Sequence, residues 1–142
     1  MGESLIRRAR PSDAPALSQL IAQLGYEAEE SDVSERLAAM EAEGRAVLVA
    51  ELDGRVIGCL TTSVMRVLHR PAPVGRISMM VVDEAHRGRG IGSQLVRAAE
   101  AALAEQGCYM VEVTSHVRRT QAHPFYETLG YAKTSVRLAR EL

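Results

Sequence analysis

The stretch from residue 77 to residue 93 constrains the fold of this chain more than any other. Residues 77–82 are nearly all apolar, which is typical of a strand buried on both faces. A turn with glycines at 88, 90 and 92 follows, and then a run of strong helix formers up to residue 106. Glycine lets a backbone approach a ligand closely, and the first amides of a helix attract anions. The pattern therefore predicts a strand, a loop that cradles a phosphate, and a helix.

Two familiar phosphate loops are excluded by what this turn lacks. A Walker loop requires Gly-Lys-Ser/Thr, but the single lysine of the chain is Lys133, far from the turn. A dinucleotide fingerprint requires a third glycine, and that position is Ser93 or Leu95, depending on which glycine is taken as the first. The arginines Arg87 and Arg89 add charge suited to phosphate oxygens. A glycine-rich turn with exposed arginines and no ligand remains the alternative.

The rest of the chain predicts a single α/β domain over residues 1–142. Strands are expected over 5–10, 46–50, 56–60, 109–114 and 131–138, with an Asp53-Gly54 hairpin turn between the second and third. Helices are expected from 12 or 13 to 25, from 32 to 44, from 92 to 106 and over 121–129. The order β-α-α-β-β-β-α-β-α-β predicts a mixed sheet with helices packed on it.

Composition excludes several classes of protein. With 142 residues, 46% of them hydrophobic, and a formal charge of −1, the chain is neither disordered nor a general polyanion binder, so no nucleic-acid partner is expected. No apolar run is long enough to span a membrane, and the N-terminus lacks a signal-peptide pattern, so we expect a cytoplasmic protein. The four histidines lack metal-ligand spacing, so no metal is expected.

Two motifs at a fixed separation resemble those of a known family. Arg87, Gly90 and Gly92 fill an Arg-x-x-Gly-x-Gly pattern, and near the end of the chain stands Ala-x-x-Phe-Tyr-Glu-x-x-Gly-Tyr over residues 122–131. With the Asp-Gly hairpin, they resemble the GNAT superfamily of acyl-CoA-dependent N-acetyltransferases, most closely its short aminoalkylphosphonate and aminoglycoside-like members. The resemblance implies the GNAT fold, with a splayed central pair of strands.

The resemblance also implies how acetyl-CoA, the cosubstrate, is bound. The loop amides would hold the pyrophosphate of coenzyme A, and the preceding strand would pair with its pantetheine arm as an added strand does. Arg119 stands where many relatives have asparagine and is a further expected contact. The implied residues are Met80, Val81, Val82, Arg87, Gly88, Arg89, Gly90, Ile91, Gly92, Ser93, Arg119 and Tyr126.

The implied reaction is direct attack of a primary amine on the thioester within a ternary complex. The backbone amide of Met80 would stabilise the oxyanion, and Tyr126 would protonate the leaving sulfur. Many relatives carry an acidic residue on the strand before the loop, but this chain has no Asp or Glu between Gly54 and Val82. The remaining base candidates are a water chain near Ser78, together with Glu112 or His116.

The acceptor and the assembly stay open. Acidic residues crowd positions 27–43 and favour a cationic amine such as a polyamine, whereas Arg66, His69, Arg70 and Arg76 favour a phosphonate or carboxylate. A non-catalytic acyl-CoA-binding regulatory module and a protein or peptide N-acetyltransferase are the alternative functions. The alternating strand expected over 131–138 could pair with a second copy, which predicts a homodimer.

Overall fold

A computed structural model of the chain describes residues 4–115 and 121–142, which form a mixed sheet with helices on both faces. A short 3-10 turn at Pro11–Asp13 precedes the first helix, and another at Glu84–His86 follows the fourth strand. The strands are β1 (Leu5–Arg8), β2 (Val47–Leu52), β3 (Arg55–Met65), β4 (Val74–Val82) and β5 (Met110–Val113). The helices are α1 (Ala14–Gln23), α2 (Glu30–Ala42), α3 (Ile91–Glu105) and α4 (Ala122–Thr128).

The sheet confirms the expected fold class. Its strand order is β1-β2-β3-β4-β5, with antiparallel pairs up to β4 and a parallel β4–β5 pair. The Asp-Gly hairpin between β2 and β3 is confirmed, since Asp53 has φ 50° and Gly54 φ 77°. Two successive positive φ values are what a two-residue turn needs to match the twist of its strands.

The core lies in two layers because side chains alternate across the sheet. On one face α1 and α2 bury Leu17, Leu20, Val33 and Leu37 against the strands. On the other face α3 presents one apolar stripe, and α4 adds aromatic side chains beside it. The inner sheet is therefore covered on both sides, as the apolar run in β4 predicts.

The parallel pair is short, and this creates an opening in the sheet. Pairing between β4 and β5 runs from Val74↔Met110 to Ile77↔Val113, and β4 then continues to Val82 without β5 beside it. On its other side β4 stays paired with β3 as far as Val82↔Gly58. The expected splay is thus confirmed, and one edge of β4 is left unpaired by β5 from residue 78 onward.

The expected final strand over residues 131–138 is absent. Residues 131–142 carry neither helix nor strand, and Val136 and Leu138 are 85% and 91% exposed. Alternation in a sequence determines which side chains share a face, but a strand also needs a neighbour for its backbone hydrogen bonds. No strand of the described chain supplies that neighbour here.

A buried ion pair fixes the start of α1 against the sheet. The guanidinium of Arg7 donates to both oxygens of Asp13, each at 2.9 Å, and also contacts Glu51 at 3.1 Å. The Arg10 amide donates to the same Asp13 carboxylate at 2.7 Å. Hydrogen bonding from Arg7 lowers the pKa of Asp13 below its usual value.

Replacing Asp13 with asparagine should lower the free energy of unfolding at pH 7 by about 2 to 3 kcal/mol, because Arg7 loses a charged partner. A lowered carboxyl pKa stabilises the fold above the unfolded pKa of about 3.9 and stops doing so as pH falls toward the folded pKa. Urea denaturation should therefore show a shallower loss of stability below about pH 4 in Asp13→Asn than in wild type. Glu35→Gln, at an exposed position of α2, is the control; equal effects of the two changes would contradict the assignment.

Candidate active site

The glycine loop joins β4 to α3 and leaves its backbone accessible. Gly88 and Gly90 have φ values of 80° and 79°, which L side chains rarely adopt, and a Cβ at either would meet nothing within 4 Å. Residues 87–90 are exposed. Gly90 precedes the first turn of α3, and no side chain caps that end. The amides of the first turn of α3 therefore lack a side-chain cap beside an exposed loop, which suits an anionic group such as a pyrophosphate.

The two arginines of the loop lie beside these amides. Both Arg87 and Arg89 are exposed, and Arg87 Nε donates to the Val82 carbonyl at 3.1 Å. That bond ties the Arg87 side chain to the end of β4 and leaves its terminal nitrogens for a ligand. The positive charge of the two arginines, expected from the sequence, therefore lies at the loop.

A bulge separates the paired and unpaired parts of β4. Ile77 lies opposite Thr62 of β3 and Met79 opposite Thr61, so that Ser78 is an extra residue on β4. Beyond it, Met80, Val81 and Val82 stay in register with β3 on one side. Their other side has no partner in β5 and can accept an extended chain as an added strand.

Tyr126 lies on α4 in the core layer that also holds Met80 and Ile91. Its side chain is 8% exposed and makes edge contacts with Phe125 and Tyr131, at ring-centroid distances of 5.1 and 5.7 Å. Burial raises the pKa of Tyr126 to about 12 by disfavouring the charged phenolate. The phenol therefore stays protonated at neutral pH and can donate a hydrogen bond.

A close contact brings α3, β4 and α4 together. A Cβ added at Gly92 would lie 3.2 Å from Phe125 Cζ and 3.5 Å from Met80 Cε. Gly92 thus lets the first turn of α3 approach the strand and the helix that carries Tyr126. The structure places these expected site residues on adjoining elements, while their catalytic roles stay predictions.

The two candidates for the general base that the structure describes are hydrogen-bonded to neighbouring residues. Ser78 Oγ donates to the Thr61 carbonyl at 3.2 Å and lies 2.8 Å from Thr61 Oγ1. Glu112 Oε1 accepts hydrogen bonds from Arg76 Nε and Nη2, at 2.8 and 2.6 Å. Sequence reasoning missed this ion pair because it depends on the β4–β5 register, in which Arg76 lies opposite Glu112. His116 and Arg119 lie outside the described residues.

One buried hydroxyl has no partner. Ser115 follows β5 at the end where β5 and β4 diverge, and its Oγ is buried without a hydrogen bond in the described structure. A buried polar atom without a partner is costly, so this hydroxyl is expected to be satisfied by a water or another polar group. The sequence alone gives no signal for it, since burial and lack of a partner are properties of the fold.

The described residues contain neither a metal-binding cluster nor a helix that could span a membrane. Within residues 4–115 and 121–142 no group of His, Cys, Asp and Glu side chains could hold a metal ion. Among the helices in those ranges, none has both the length and the apolar character that crossing a membrane requires.

Comparison with known proteins identifies the family. The model of the acetyltransferase (GNAT) family matches residues 14–131, which includes the loop, the splayed strands and α4. The chain is 32% identical over 90 residues to an aminoalkylphosphonate N-acetyltransferase of Salmonella typhimurium, a match that covers 63% of this chain and 58% of that enzyme. It is 31% identical to a type 1 aminoglycoside N(6')-acetyltransferase of Stenotrophomonas maltophilia, over 91% of this chain and 86% of that one.

Solved structures agree with this assignment. The aminoglycoside N-acetyltransferase AAC(6')-Iy, solved in complex with CoA, superimposes with a TM-score of 0.86 over 98% of this chain and 95% of its own, at 22% identity. That likeness shows the fold. Acetyltransferases of glucosamine 6-phosphate and N-alpha-acetyltransferases are also among the similar proteins. The chain belongs to the acetyltransferase (GNAT) family and is an acyl-CoA-dependent N-acetyltransferase.

Proposed function

We propose that this protein transfers the acetyl group of acetyl-CoA to a primary amine of a small molecule, by direct attack within a ternary complex. The observation that carries the proposal is the unpaired edge of β4, which is followed, after the short turn at Glu84–His86, by the exposed glycine loop and the uncapped start of α3. Acetyl-CoA joins an extended pantetheine arm to a pyrophosphate. The arm matches the strand edge, and the pyrophosphate matches the loop and the start of the helix that follow it.

The residues of this site divide the chemistry between them. The loop amides from Arg87 to Ser93 hold the pyrophosphate, and the β4 edge at 80–82 holds the pantetheine arm. The Met80 amide stabilises the oxyanion that forms when the amine attacks. Tyr126, kept protonated by burial, hydrogen-bonds to the sulfur as coenzyme A leaves as a thiolate.

Removal of the amine proton does not depend on a carboxylate of β4, because β4 carries none. Glu112 shares its Oε1 with Arg76, so it acts on the acceptor through Oε2 or through water. A water chain near Ser78, at the bulge, is the route closest to the strand edge. An acceptor that binds as a neutral amine has one proton fewer to lose, so it depends less on a general base.

The surface beside α1 and α2 favours a cationic acceptor. A hollow of about 510 Å³ there is lined by Ser18 and Ala22 of α1 and by Tyr26, Glu27, Glu29 and Asp32. Its carboxylates form no ion pair within the described parts of the chain. In contrast, Arg76 of β4 is paired with Glu112 at 2.6 Å. The carboxylates of the hollow are therefore available to a cationic amine, whereas the basic side chain on the strand already has a charged partner.

The acceptor is tested by thiol release from acetyl-CoA across matched amines. Polyamines and aminoglycosides should be acetylated with higher kcat/KM than aminoalkylphosphonates, and Glu29→Gln with Asp32→Asn should reduce that preference. A preference for phosphonates would overturn the cationic assignment and leave acetyl transfer intact. Acetyl-CoA binding without turnover of any amine would favour a non-catalytic regulatory module, and turnover of peptide N-termini alone would favour a peptide acetyltransferase.

The exposed segment over 131–142 favours a homodimer, with the tail of one copy pairing along the β5 edge of the other. Within the described part of the chain, β5 lies at the end of the sheet and has a strand on one side only. The tail presents Val136 and Leu138 two residues apart, both exposed, which suits one face of an added strand. Each copy thus supplies a tail that can pair with the free β5 edge of the other copy.

Light scattering should give a mass of twice 15.4 kDa at micromolar concentration. Val136→Lys with Leu138→Lys should shift the protein to monomer, because charge enters the new interface. Leu68→Lys, at a leucine of the β3–β4 loop that is also fully exposed, is the control and should stay dimeric. A monomeric wild type would contradict the homodimer.

A further inference from the structure

The side chain of Gln23 holds the start of the glycine loop with both ends of its amide. Its Nε2 donates to Asp83 Oδ1 at 2.8 Å, and its Oε1 accepts from the Glu84 amide at 2.9 Å. Gln23 is the last residue of α1, whereas Asp83 and Glu84 lie where β4 ends and the loop begins. One side chain therefore joins a helix on one face of the sheet to the turn that leads into the loop.

Asp83 is fixed by further contacts on its other atoms. Its Oδ2 lies 2.6 Å from His86 Nδ1, and its backbone amide donates to the Ile57 carbonyl at 2.7 Å. The His86 amide donates to the Asp83 carbonyl at 2.8 Å. Both carboxylate oxygens are therefore occupied, and the residues before Arg87 are held by side chains from two directions.

This arrangement matters because a free carboxylate and a mobile backbone both oppose anion binding. The Asp83 carboxylate stands a few residues before the amides assigned to the pyrophosphate, and its hydrogen bonds restrict where its charge can lie. A loop already held in one conformation also loses less entropy when a ligand binds. Gln23 supplies the donor for Asp83 and the acceptor for Glu84 at once, which a carboxylate or an apolar side chain at this position could not do.

We propose that Gln23 is a positioning residue that holds the loop of residues 83–90 in the conformation that binds the pyrophosphate of acetyl-CoA. The inference rests on the proposed function, since it assigns the loop to that ligand. Gln23 acts through Asp83 and Glu84 and makes no contact with the reacting atoms. Its loss should therefore affect acetyl-CoA binding and leave the chemical step unchanged.

Four variants test the proposal. Gln23→Ala removes both hydrogen bonds. Gln23→Glu keeps an acceptor for the Glu84 amide but sets a carboxylate against Asp83. Gln23→Glu combined with Asp83→Asn restores a donor and an acceptor with their positions exchanged, and the new amide oxygen can still accept from His86. Gln106→Ala is the control, because Gln106 Nε2 bonds only within its own helix region, to the Ala102 carbonyl at 3.4 Å.

The readouts are the acetyl-CoA dissociation constant by calorimetry and the separate values of kcat and KM. Gln23→Ala and Gln23→Glu should raise both the dissociation constant and the KM for acetyl-CoA about tenfold, with kcat within twofold of wild type. The double variant should recover most of that loss, and Gln106→Ala should match wild type. Recovery by the double variant distinguishes positioning from general destabilisation, even if Gln23→Ala folds poorly.

Several results would overturn the inference. Unchanged acetyl-CoA binding in Gln23→Glu, a fall in kcat with KM constant, or no recovery in the double variant would each do so while the proposed function stands. Wild type that fails to bind acetyl-CoA at all would overturn the proposed function together with the inference. The two failures are therefore distinguishable.

Discussion

Replacing Gly90 with valine is expected to raise the KM for acetyl-CoA about a hundredfold, with a smaller effect on folding. Gly90 has φ 79° immediately before α3, and a β-branched residue is strained there by about 1 to 2 kcal/mol. The loop relieves that strain only by turning its amides away from the pyrophosphate. Each lost hydrogen bond to a charged group costs about 1.5 to 3 kcal/mol, which together gives the expected change in KM.

A matched control stands at the other end of the same helix. Gly107 has φ 88° and, like Gly90, has nothing within 4 Å of an added Cβ. Gly107→Val therefore introduces similar backbone strain without touching the loop. Steady-state kinetics should show a normal KM for acetyl-CoA in Gly107→Val; equal losses in the two variants would contradict the assignment of the loop.

Replacing Tyr126 with phenylalanine is expected to lower kcat about a hundredfold, because the hydrogen bond to the leaving thiolate is lost and a bond to a charged group contributes about 1.5 to 3 kcal/mol. The ring, its burial and its edge contacts are retained, so the core should change little. Because the pKa of Tyr126 is about 12, its proton stays in place up to about pH 10. The wild-type rate should therefore show no decline between pH 7 and 10 from ionisation of this phenol.

Tyr131 provides the comparison for Tyr126. Its ring packs against Tyr126, and its hydroxyl donates to Glu100 Oε2 at 2.8 Å. Tyr131→Phe should lose some stability and keep kcat. Pre-steady-state measurements should establish that chemistry limits the rate; full turnover by Tyr126→Phe under that condition would rule out the role assigned to the Tyr126 hydroxyl.

Local patterns predicted the parts of the site that depend on adjacent residues. The apolar run, the glycines and the helix formers over 77–106 together predicted β4, the loop and α3 with small shifts of their ends. The Asp53-Gly54 turn predicted a hairpin because only a few residue types tolerate its backbone. In each case the determining interactions lie within a few positions of one another.

Features that depend on distant contacts could not be predicted in this way. The Arg76–Glu112 pair needs the β4–β5 register, and the Gln23–Asp83 bond joins residues 60 positions apart. The unpartnered Ser115 hydroxyl depends on burial. The strand expected over 131–138 was wrong for the single chain because alternation carries no information about whether a neighbouring strand is present.

The central claim is that acetyl-CoA binds along the free edge of β4 and in the glycine loop. Backbone amide NMR of the full chain, titrated with acetyl-CoA, tests it most directly, because each amide reports its own position. We expect the largest shift changes at residues 78–82 and 87–93, with small changes in α2 and in β1. Changes concentrated elsewhere, or none at saturating acetyl-CoA, would contradict the account.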